Sequence, residues 1–203
     1  MTATLIDQGK LDAFMSKALT DLSGTTATVL AFLGDRLGLF RALDAAPATS
    51  EQLAARAGVY ERYAREWLRG MRAAGYLELD PDGARYALPP EHAQVLADEG
   101  GPFFLGGVHQ ELMGMLRPLD ALAEAFRSGG GVPQSVYPAD AWDGMRRFSQ
   151  GWFENLLLQE WIPAAARARS IWPANASYPT NCERGNDCAS LITASPEPQP
   201  TSA

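Results

Sequence analysis

The chain has 203 residues, 46% of them hydrophobic and 20% charged, a composition typical of a globular protein that buries an apolar core. Its formal net charge of −7 argues against broad electrostatic attraction to nucleic acid or to an anionic membrane. Residues 1–10 show no secretory signal and no apolar run approaches the roughly 18 residues that span a bilayer, so we expect a cytoplasmic protein.

Apolar residues at helical spacing predict two helices at the start of the chain. Residues 11–22 form an amphipathic helix within a predicted N-terminal segment, 1–24. A second helix follows and reaches about Phe40, and Gly34 and Gly38 inside it predict a bend or a break. A helical N-terminus this rich in leucine needs a partner surface, which favours self-association.

The order of the next elements predicts a winged helix-turn-helix domain over residues 25–90. The run 49–52, Thr-Ser-Glu-Gln, is typical of a capping box, and the helix that it starts ends at Gly58. Another helix covers residues 60–74. Two strands of alternating polarity then flank the turn Asp-Pro-Asp-Gly at 80–83. Helices followed by one hairpin, in this order and at these lengths, are the pattern of a winged helix.

The following region, residues 91–166, is predicted to be a helical linker or lid. Helices are predicted over about 91–97, 103–127 and 140–161. Pro118 should kink or divide the second of them, because proline cannot donate a backbone hydrogen bond. Asp140 or Asp143 can cap the third. The fold class is therefore mainly α, a winged helix with one hairpin and additional long helices.

The C-terminal segment, residues 167–203, differs in composition from the rest. It is polar and rich in proline and serine, and it cannot bury enough apolar surface to offset the entropy of ordering, so we expect a disordered tail. Cys182 and Cys188 lie in it. Two cysteines without a partner pair make neither a disulfide framework nor a zinc site.

Four arginines recur every three or four residues along one face of the helix at 60–74: Arg62, Arg65, Arg69 and Arg72. In a winged helix this element is the recognition helix, which can place arginines on phosphates or guanine edges. The alternative is a solvated face whose arginines pair with Glu61 and Glu66. The acidic hairpin favours the second interpretation, because it would repel the DNA backbone. Nucleic acid is therefore an unfavoured partner.

No segment of the sequence has the pattern that a nucleotide-type cofactor requires. Such a site needs a strand followed by a glycine-rich loop and a helix. Gly129 and Gly131 follow a predicted helix instead and precede Pro133, which indicates a flexible connector. No catalytic, cofactor-binding or metal-ligating set is predicted.

Two groups in the helical region are candidates for contact with a substrate. His109, next to Gln110 and near Glu111, can orient a substrate or act as a general base, or it can be a packed helical histidine. Several aromatic residues recur at helical spacing further along, namely Tyr137, Trp142, Phe148, Trp152, Phe153 and Trp161. They fill a core or a dimer seam, or they wall an apolar substrate pocket.

Taken together, several runs resemble the N-terminal region of class I S-adenosylmethionine (SAM)-dependent methyltransferases that begin with a winged helix. The resemblance covers roughly residues 10–166. It is carried by residues 33–43 (LGDRLGLFRAL), 49–54 (TSEQLA), 66–69 (EWLR), 74–78 (AGYLE), 110–114 (QELMG), 126–133 (FRSGGGVP) and 151–155 (GWFEN). The last three runs are similar to an actinobacterial-type branch.

The resemblance implies that the winged helix serves dimerisation, and that the later helices connect to a Rossmann-like SAM domain and partly cover it. It also implies a substrate lid that contains His109, Glu111, Tyr137, Trp142, Trp152 and Phe153. The SAM domain should begin shortly after Pro163 in such enzymes, but residues 167–203 match nothing in the family. We expect a chain that is truncated before the SAM domain, by a frameshift or a shortened reading frame.

Three functions compete at this point. The first is a dimerisation and lid module of a methyltransferase-family protein that lacks the SAM-binding core and is inactive alone. The second is a winged-helix regulator that binds DNA through its arginine face. The third is an interaction module that pairs with itself or with a full-length paralogue. We favour the first, with a homodimer or such a pairing as its physical behaviour.

Overall fold

The computed structural model describes residues 6–171, with side chains up to residue 167. The helices are α1 (Gln8–Arg36), α2 (Leu39–Ala45), α3 (Ser50–Ala57), α4 (Glu61–Ala73), α5 (Pro90–Leu96), α6 (Gly106–Met115), α7 (Leu119–Ser128), α8 (Ala139–Trp152) and α9 (Ile162–Ile171). Strands β1 (Glu78–Leu79) and β2 (Tyr86–Ala87) complete them, with a 3-10 turn (Gln134–Val136) and a π-helical segment (Phe153–Trp161). The predicted mainly α fold with one hairpin is confirmed.

The described residues fall into two compact units, 6–161 and 162–171. Of the second unit the structure describes α9, which continues to Ile171 although the last helix was predicted to end near Trp161. Both cysteines and residues 172–203 of the predicted tail lie outside the described residues. None of the helices in residues 6–171 combines the length and the apolar character that crossing a bilayer requires.

α1 is one continuous helix, so the predicted division near residue 24 is wrong. Gly24 lies in the middle of it. The hydroxyl groups of Thr20, Ser23, Thr25 and Thr28 each donate to the carbonyl four residues earlier, at 2.9 Å. These side chains therefore bond within the helix rather than to a competing turn. The helix ends where the second glycine signal lay, since Gly38 has a φ of 68° and begins α2.

The first core lies between the C-terminal part of α1 and helices α2 to α4. The largest fully buried side chains are Phe40, Leu43, Leu53, Leu68 and Met71. Trp67 meets the Phe40 ring edge-on at 5.1 Å and donates from its indole Nε1 to the Leu30 carbonyl at 2.8 Å. Trp67 thus fastens α4 to α2 by ring packing and to α1 by a hydrogen bond.

Local signals position α3 and the hairpin as predicted. Thr49 and Gln52 form the capping box in both directions. The strands pair antiparallel, with Glu78 opposite Ala87. At the turn, the Asp80 carboxylate accepts from the backbone amides of Ala84 and Arg85, so the acidic turn residue stabilises the loop itself.

The helices after the hairpin form the second part of the unit. Pro118 divides the predicted long helix into α6 and α7, as expected. α8 begins after Pro138, so neither Asp140 nor Asp143 caps it as predicted. The Asp140 carboxylate instead accepts hydrogen bonds from the Arg36 guanidinium and from the Gln110 side chain, which occupy the acceptor positions a cap would need.

Candidate functional site

The N-terminal two thirds of α1 carry an apolar face that nothing in the described chain covers. The large apolar side chains of this part are all exposed: Leu11 (44%), Phe14 (68%), Met15 (54%), Leu19 (56%) and Leu22 (64%). The buried residues of α1 all lie at its C-terminal end, from Ala31 onward. Long stretches of exposed apolar helix of this kind mark interaction surfaces.

The same face of α1 ends in a cavity. This cavity, of about 700 Å³, lies between α1, α6 and the segment before α8. Its lining is mostly apolar: Val29, Phe32, Leu33, Met113, Gly114, Val136, Pro138 and Ala139, with Arg117 and Asp140 as the charged members. We call it the α1–α6 cavity.

A second cavity lies on the far side of α1, against the C-terminal end of α4. It has a volume of about 770 Å³. Small side chains line much of it, among them Thr20, Gly24, Ala27, Gly70 and Ala73. Because residues two positions apart point about 200° apart on a helix, Thr20 and Leu22 face opposite sides. α1 therefore separates two different surfaces.

A buried charge network joins α1 to α8. The Arg147 guanidinium holds the Asp35 carboxylate with two bonds, Nη1 to Oδ2 at 2.8 Å and Nη2 to Oδ1 at 3.1 Å. It also donates to Glu99 at 2.7 Å and to the Gln110 side-chain oxygen at 2.7 Å. Asp35 is 6% exposed at its side chain, and Arg147 is 17% exposed. These hydrogen bonds raise the pKa of Arg147, first through Asp35, so the guanidinium stays charged.

Further contacts extend this network to the surface. Arg36 holds both oxygens of Asp140 at 3.1 Å, and Gln110 donates to Asp140 at 3.2 Å. Arg41 of α2 lies 3.3 Å from Glu99. The network thus connects the winged-helix elements α1 and α2 to the later helices α6 and α8, and its role is to fix their relative position.

α6 and α8 cross at backbone distance because glycines line their contact. A Cβ on Gly144 would lie 2.7 Å from the Gly107 carbonyl oxygen, and one on Gly114 would lie 2.7 Å from the Ala141 Cα. Gly151 meets the Gly101 carbonyl in the same way, at 2.5 Å. No side chain larger than hydrogen fits at these points without separating the helices.

His109 of the predicted lid lies in this region, half-buried on α6. Its Nδ1 is buried without a hydrogen-bond partner in the described part of the chain. Burial lowers the pKa of His109, and the nearby Asp35 charge opposes this to a smaller degree. His109 is therefore held as a neutral imidazole at neutral pH.

This depressed pKa predicts a pH-dependent stability. An unfolded histidine binds protons near pH 6.5, whereas folded His109 resists protonation, so the unfolded state takes up more protons as the pH falls. We expect the wild type to lose more stability than His109→Gln between pH 7.5 and 5.5, measured by urea unfolding. Both proteins have the same carboxylates, so the contribution of these groups cancels when the two losses of stability are subtracted. Parallel losses in the two proteins would contradict this assignment.

The predicted aromatic lid residues form separate pairs. Tyr137 and Trp142 lie 6.2 Å apart, Phe148 and Trp152 4.3 Å, and Phe153 and Trp161 6.2 Å between ring centroids. Trp152 also donates to the Pro102 carbonyl at 2.8 Å. Glu111 lies at the glycine contact, where its backbone faces Gly144. The two cavities described above are lined by other residues, and the lid role of this set stays a prediction.

The arginine face of α4 is partly neutralised by its own helix. Arg65 lies 3.6 Å from Glu61, and Arg69 lies 3.4 Å from Glu66. Arg62 and Arg72 are exposed. At the hairpin, Arg85 pairs with Asp80 at 3.1 Å. The other two charged residues of the hairpin are Glu78 and Asp82, so the wing is acidic. This arrangement agrees with a solvated face better than with a phosphate-binding one.

Comparison with known proteins identifies the first part of the unit. Residues 25–98 match the family model of the Rv2258c-like winged HTH domain. This segment is a winged helix-turn-helix domain. The match extends eight residues beyond the predicted boundary at 90 and takes in α5, which packs against α2 in the same core. A comparison with curated proteins gives no significant match.

Solved structures show the same fold over a longer stretch that includes the winged helix-turn-helix domain. PigF with SAH shares 22% identity over 75% of this chain and 47% of its own, with a TM-score of 0.57. RosA, the N,N-8-amino-8-demethyl-D-riboflavin dimethyltransferase from Streptomyces davawensis, shares 22% identity over 70% of this chain and 44% of its own, with a TM-score of 0.54. Human N-acetylserotonin methyltransferase in complex with SAM shares 18% identity over 74% of this chain and 48% of its own, with a TM-score of 0.55. At these identities the likeness is one of fold, and the chain spans about half the length of these structures.

The described residues do not fit a SAM site. The only sheet in residues 6–171 is the hairpin of β1 and β2, whereas a dinucleotide-type site needs a strand that feeds a glycine-rich loop and a helix. Gly129, Gly130 and Gly131 all have positive φ, but they follow the C-terminus of α7.

Proposed function

We propose that this chain is the N-terminal self-association and substrate-lid module of a SAM-dependent methyltransferase, and that residues 6–171 by themselves do not bind SAM. The observation that carries the proposal is the exposed apolar face of α1, on a fold shared with the N-terminal parts of methyltransferase structures. α7 adds a second exposed apolar surface, with Leu119 and Phe126 on it and no buried residue. A module of a larger assembly needs such surfaces.

Self-association through α1 predicts the behaviour of a surface variant. The triple substitution Leu11→Ser, Met15→Ser and Leu22→Ser should convert a dimer into a monomer in light scattering. It should lower the unfolding midpoint extrapolated to low protein concentration only by the small loss of helix propensity, because these side chains do not belong to the core cluster. Ala13→Ser with Thr20→Ser, on the other side of the same helix, is the matched control and should remain dimeric. A triple variant that stays dimeric would refute the α1 interface.

The cofactor part of the proposal is tested separately. Titration calorimetry of the chain with SAM should show no saturable heat. Binding with micromolar affinity would contradict the proposal and would place a cofactor site in this chain.

A further inference from the structure

The α1–α6 cavity has the size and the lining of a small-molecule site. Its volume of about 700 Å³ lies within the range of roughly 300–1,000 Å³ in which such sites usually fall. Its walls are mostly apolar, and Val29, Leu33 and Val136 on them are each at least 39% exposed. A molecule bound in the cavity would therefore bury apolar surface that is now open to solvent.

Contacts at the edge of the cavity hold its walls in place. Arg36 binds both oxygens of Asp140 at 3.1 Å, which fixes the C-terminal end of α1 against the start of α8. Gln110 donates to the same carboxylate at 3.2 Å and adds α6 to this contact. Because the walls are fixed before a ligand arrives, binding costs little ordering of the protein.

The charges around the cavity leave one cation without a counter-ion. Asp140 lines the cavity, but its carboxylate is already held by Arg36. Arg117 is the other charged residue of the lining, and its guanidinium makes no ion pair or hydrogen bond within the part of the chain that the structure describes. These two arginines and one carboxylate leave one net positive charge, in a chain whose formal net charge is −7. An anionic group of a ligand therefore has a defined partner in Arg117.

The rest of the lining favours an aromatic ligand. Phe32 of α1 and Met113 of α6 both line the cavity, and a phenyl ring and a thioether each pack well against aromatic rings. Apart from Arg117, the side chains of the lining offer no hydrogen-bond donor. A ligand with several polar groups would leave some of them unpaired on these walls, which is unfavourable. One anionic group on an aromatic body matches the lining.

We propose that the α1–α6 cavity binds an aromatic carboxylate, with the ring between α1 and α6 and the carboxylate on Arg117. None of the aromatic residues predicted for the lid lines this cavity. The proposal requires neither self-association nor SAM, so it goes beyond the proposed function and can fail independently of it.

Methyl NMR of the full chain tests the proposal, with 2-naphthoate as the probe. In a protein with carbon-13 methionine methyl groups, the Met113 signal is identified by its loss in Met113→Leu. It should shift on titration, because the bound ring lies next to that methyl group. Met71 is fully buried in the first core and should not shift, and Met15 on the exposed face of α1 reports adventitious binding.

Two pairs of variants test the contacts. Arg117→Gln should weaken 2-naphthoate binding roughly fivefold, as expected for a partly exposed charged hydrogen bond, and should leave binding of the neutral 2-naphthamide unchanged. Arg72→Gln removes an exposed arginine of α4 and is the control for net charge. Val136→Trp should fill the cavity and prevent binding of both probes, whereas Leu119→Trp, at a similarly exposed position of α7, should not.

Each outcome supports or overturns the proposal. A Met113 signal that does not shift, or that shifts only together with the Met15 signal, overturns the site. Equal affinities for the two probes, or equal losses in Arg117→Gln and Arg72→Gln, overturn the role of Arg117 and with it the carboxylate. An unchanged Met71 signal confirms that the core of each variant is folded.

The triple serine variant of α1 described above separates this proposal from self-association. None of its three positions lines the cavity, so it should bind 2-naphthoate with the affinity of the unmodified chain. That result supports the site whether or not the unmodified chain is a dimer. Binding that occurs only in the triple variant would mean that a second copy covers the cavity, which overturns the proposal for the unmodified chain.

Discussion

Replacing Arg147 by methionine is expected to destabilise the fold by about 3–5 kcal/mol, the usual effect of leaving one partner of a buried ion pair without the other. Asp35 would keep a charge at a site where its side chain is 6% exposed, and Gln110 would lose its donor. Urea unfolding followed by circular dichroism measures the change. Glu99 is less affected, because it is half exposed and also lies near Arg41.

A double variant distinguishes the pair from its packing. Asp35→Leu with Arg147→Met removes both charges and keeps the branching of the first side chain and most of the length of the second, and apolar replacements of buried ion pairs are often neutral or stabilising. We expect it to regain most of the stability that the single variant loses. If Arg147→Met alone loses less than about 1 kcal/mol, the network does not hold α1 against α8 as described.

The second large effect is expected at the glycine contact between α6 and α8. Gly144→Leu should destabilise the fold by about 3 kcal/mol or more, because the new side chain has only backbone around it: the Gly107 carbonyl oxygen lies 2.7 Å from its Cβ. The thermal or urea midpoint of unfolding reports the loss.

The same substitution at Gly24 is the matched control. Gly24 lies inside α1, where a Cβ would have no atom within 4 Å, and leucine favours a helix over glycine by roughly 0.5–1 kcal/mol. Gly24→Leu should therefore be neutral or slightly stabilising. Equal losses of stability at the two positions would contradict this account, because leucine would then be unfavourable in any helix and not only at the α6–α8 contact.

Local signals in the sequence predicted most of the elements. The capping box at Thr49, the hairpin turn at Asp80 and the division at Pro118 each depend on neighbouring residues only, so they can be inferred without the fold. The break at Gly38 belongs to the same class. Gly24 misled the prediction, because one glycine weakens a helix by only about 1 kcal/mol, which the other residues of a 29-residue helix readily compensate.

The contacts that fix the later helices could not be predicted in this way. Asp35 and Arg147 are 112 positions apart, and nothing in their neighbourhoods distinguishes them from surface charges. Asp140 has the ordinary features of a helix cap, yet two side chains distant in sequence bind it. The glycine spacing does indicate the α6–α8 contact in the sequence. Gly107 and Gly114 are seven residues apart, as are Gly144 and Gly151, so each pair lies on one helix face.

The candidate site was predicted in kind but not in detail. The leucine-rich N-terminus indicated a partner surface, and the structure shows that the corresponding face of α1 is exposed. The length of this face became apparent only when α1 proved to be a single helix, because Val29 and Leu33 belong to it only if the helix does not break at Gly24. The lid role of the aromatic residues stays a prediction.

Sedimentation equilibrium of the unmodified chain, at micromolar concentrations, tests the central claim most directly. We predict a mass of twice 21.9 kDa, which falls towards the monomer mass on dilution or on substitution of Leu22 by glutamate. A mass of 21.9 kDa that does not change up to the highest concentration would contradict self-association, because the apolar face of α1 would then remain uncovered in solution.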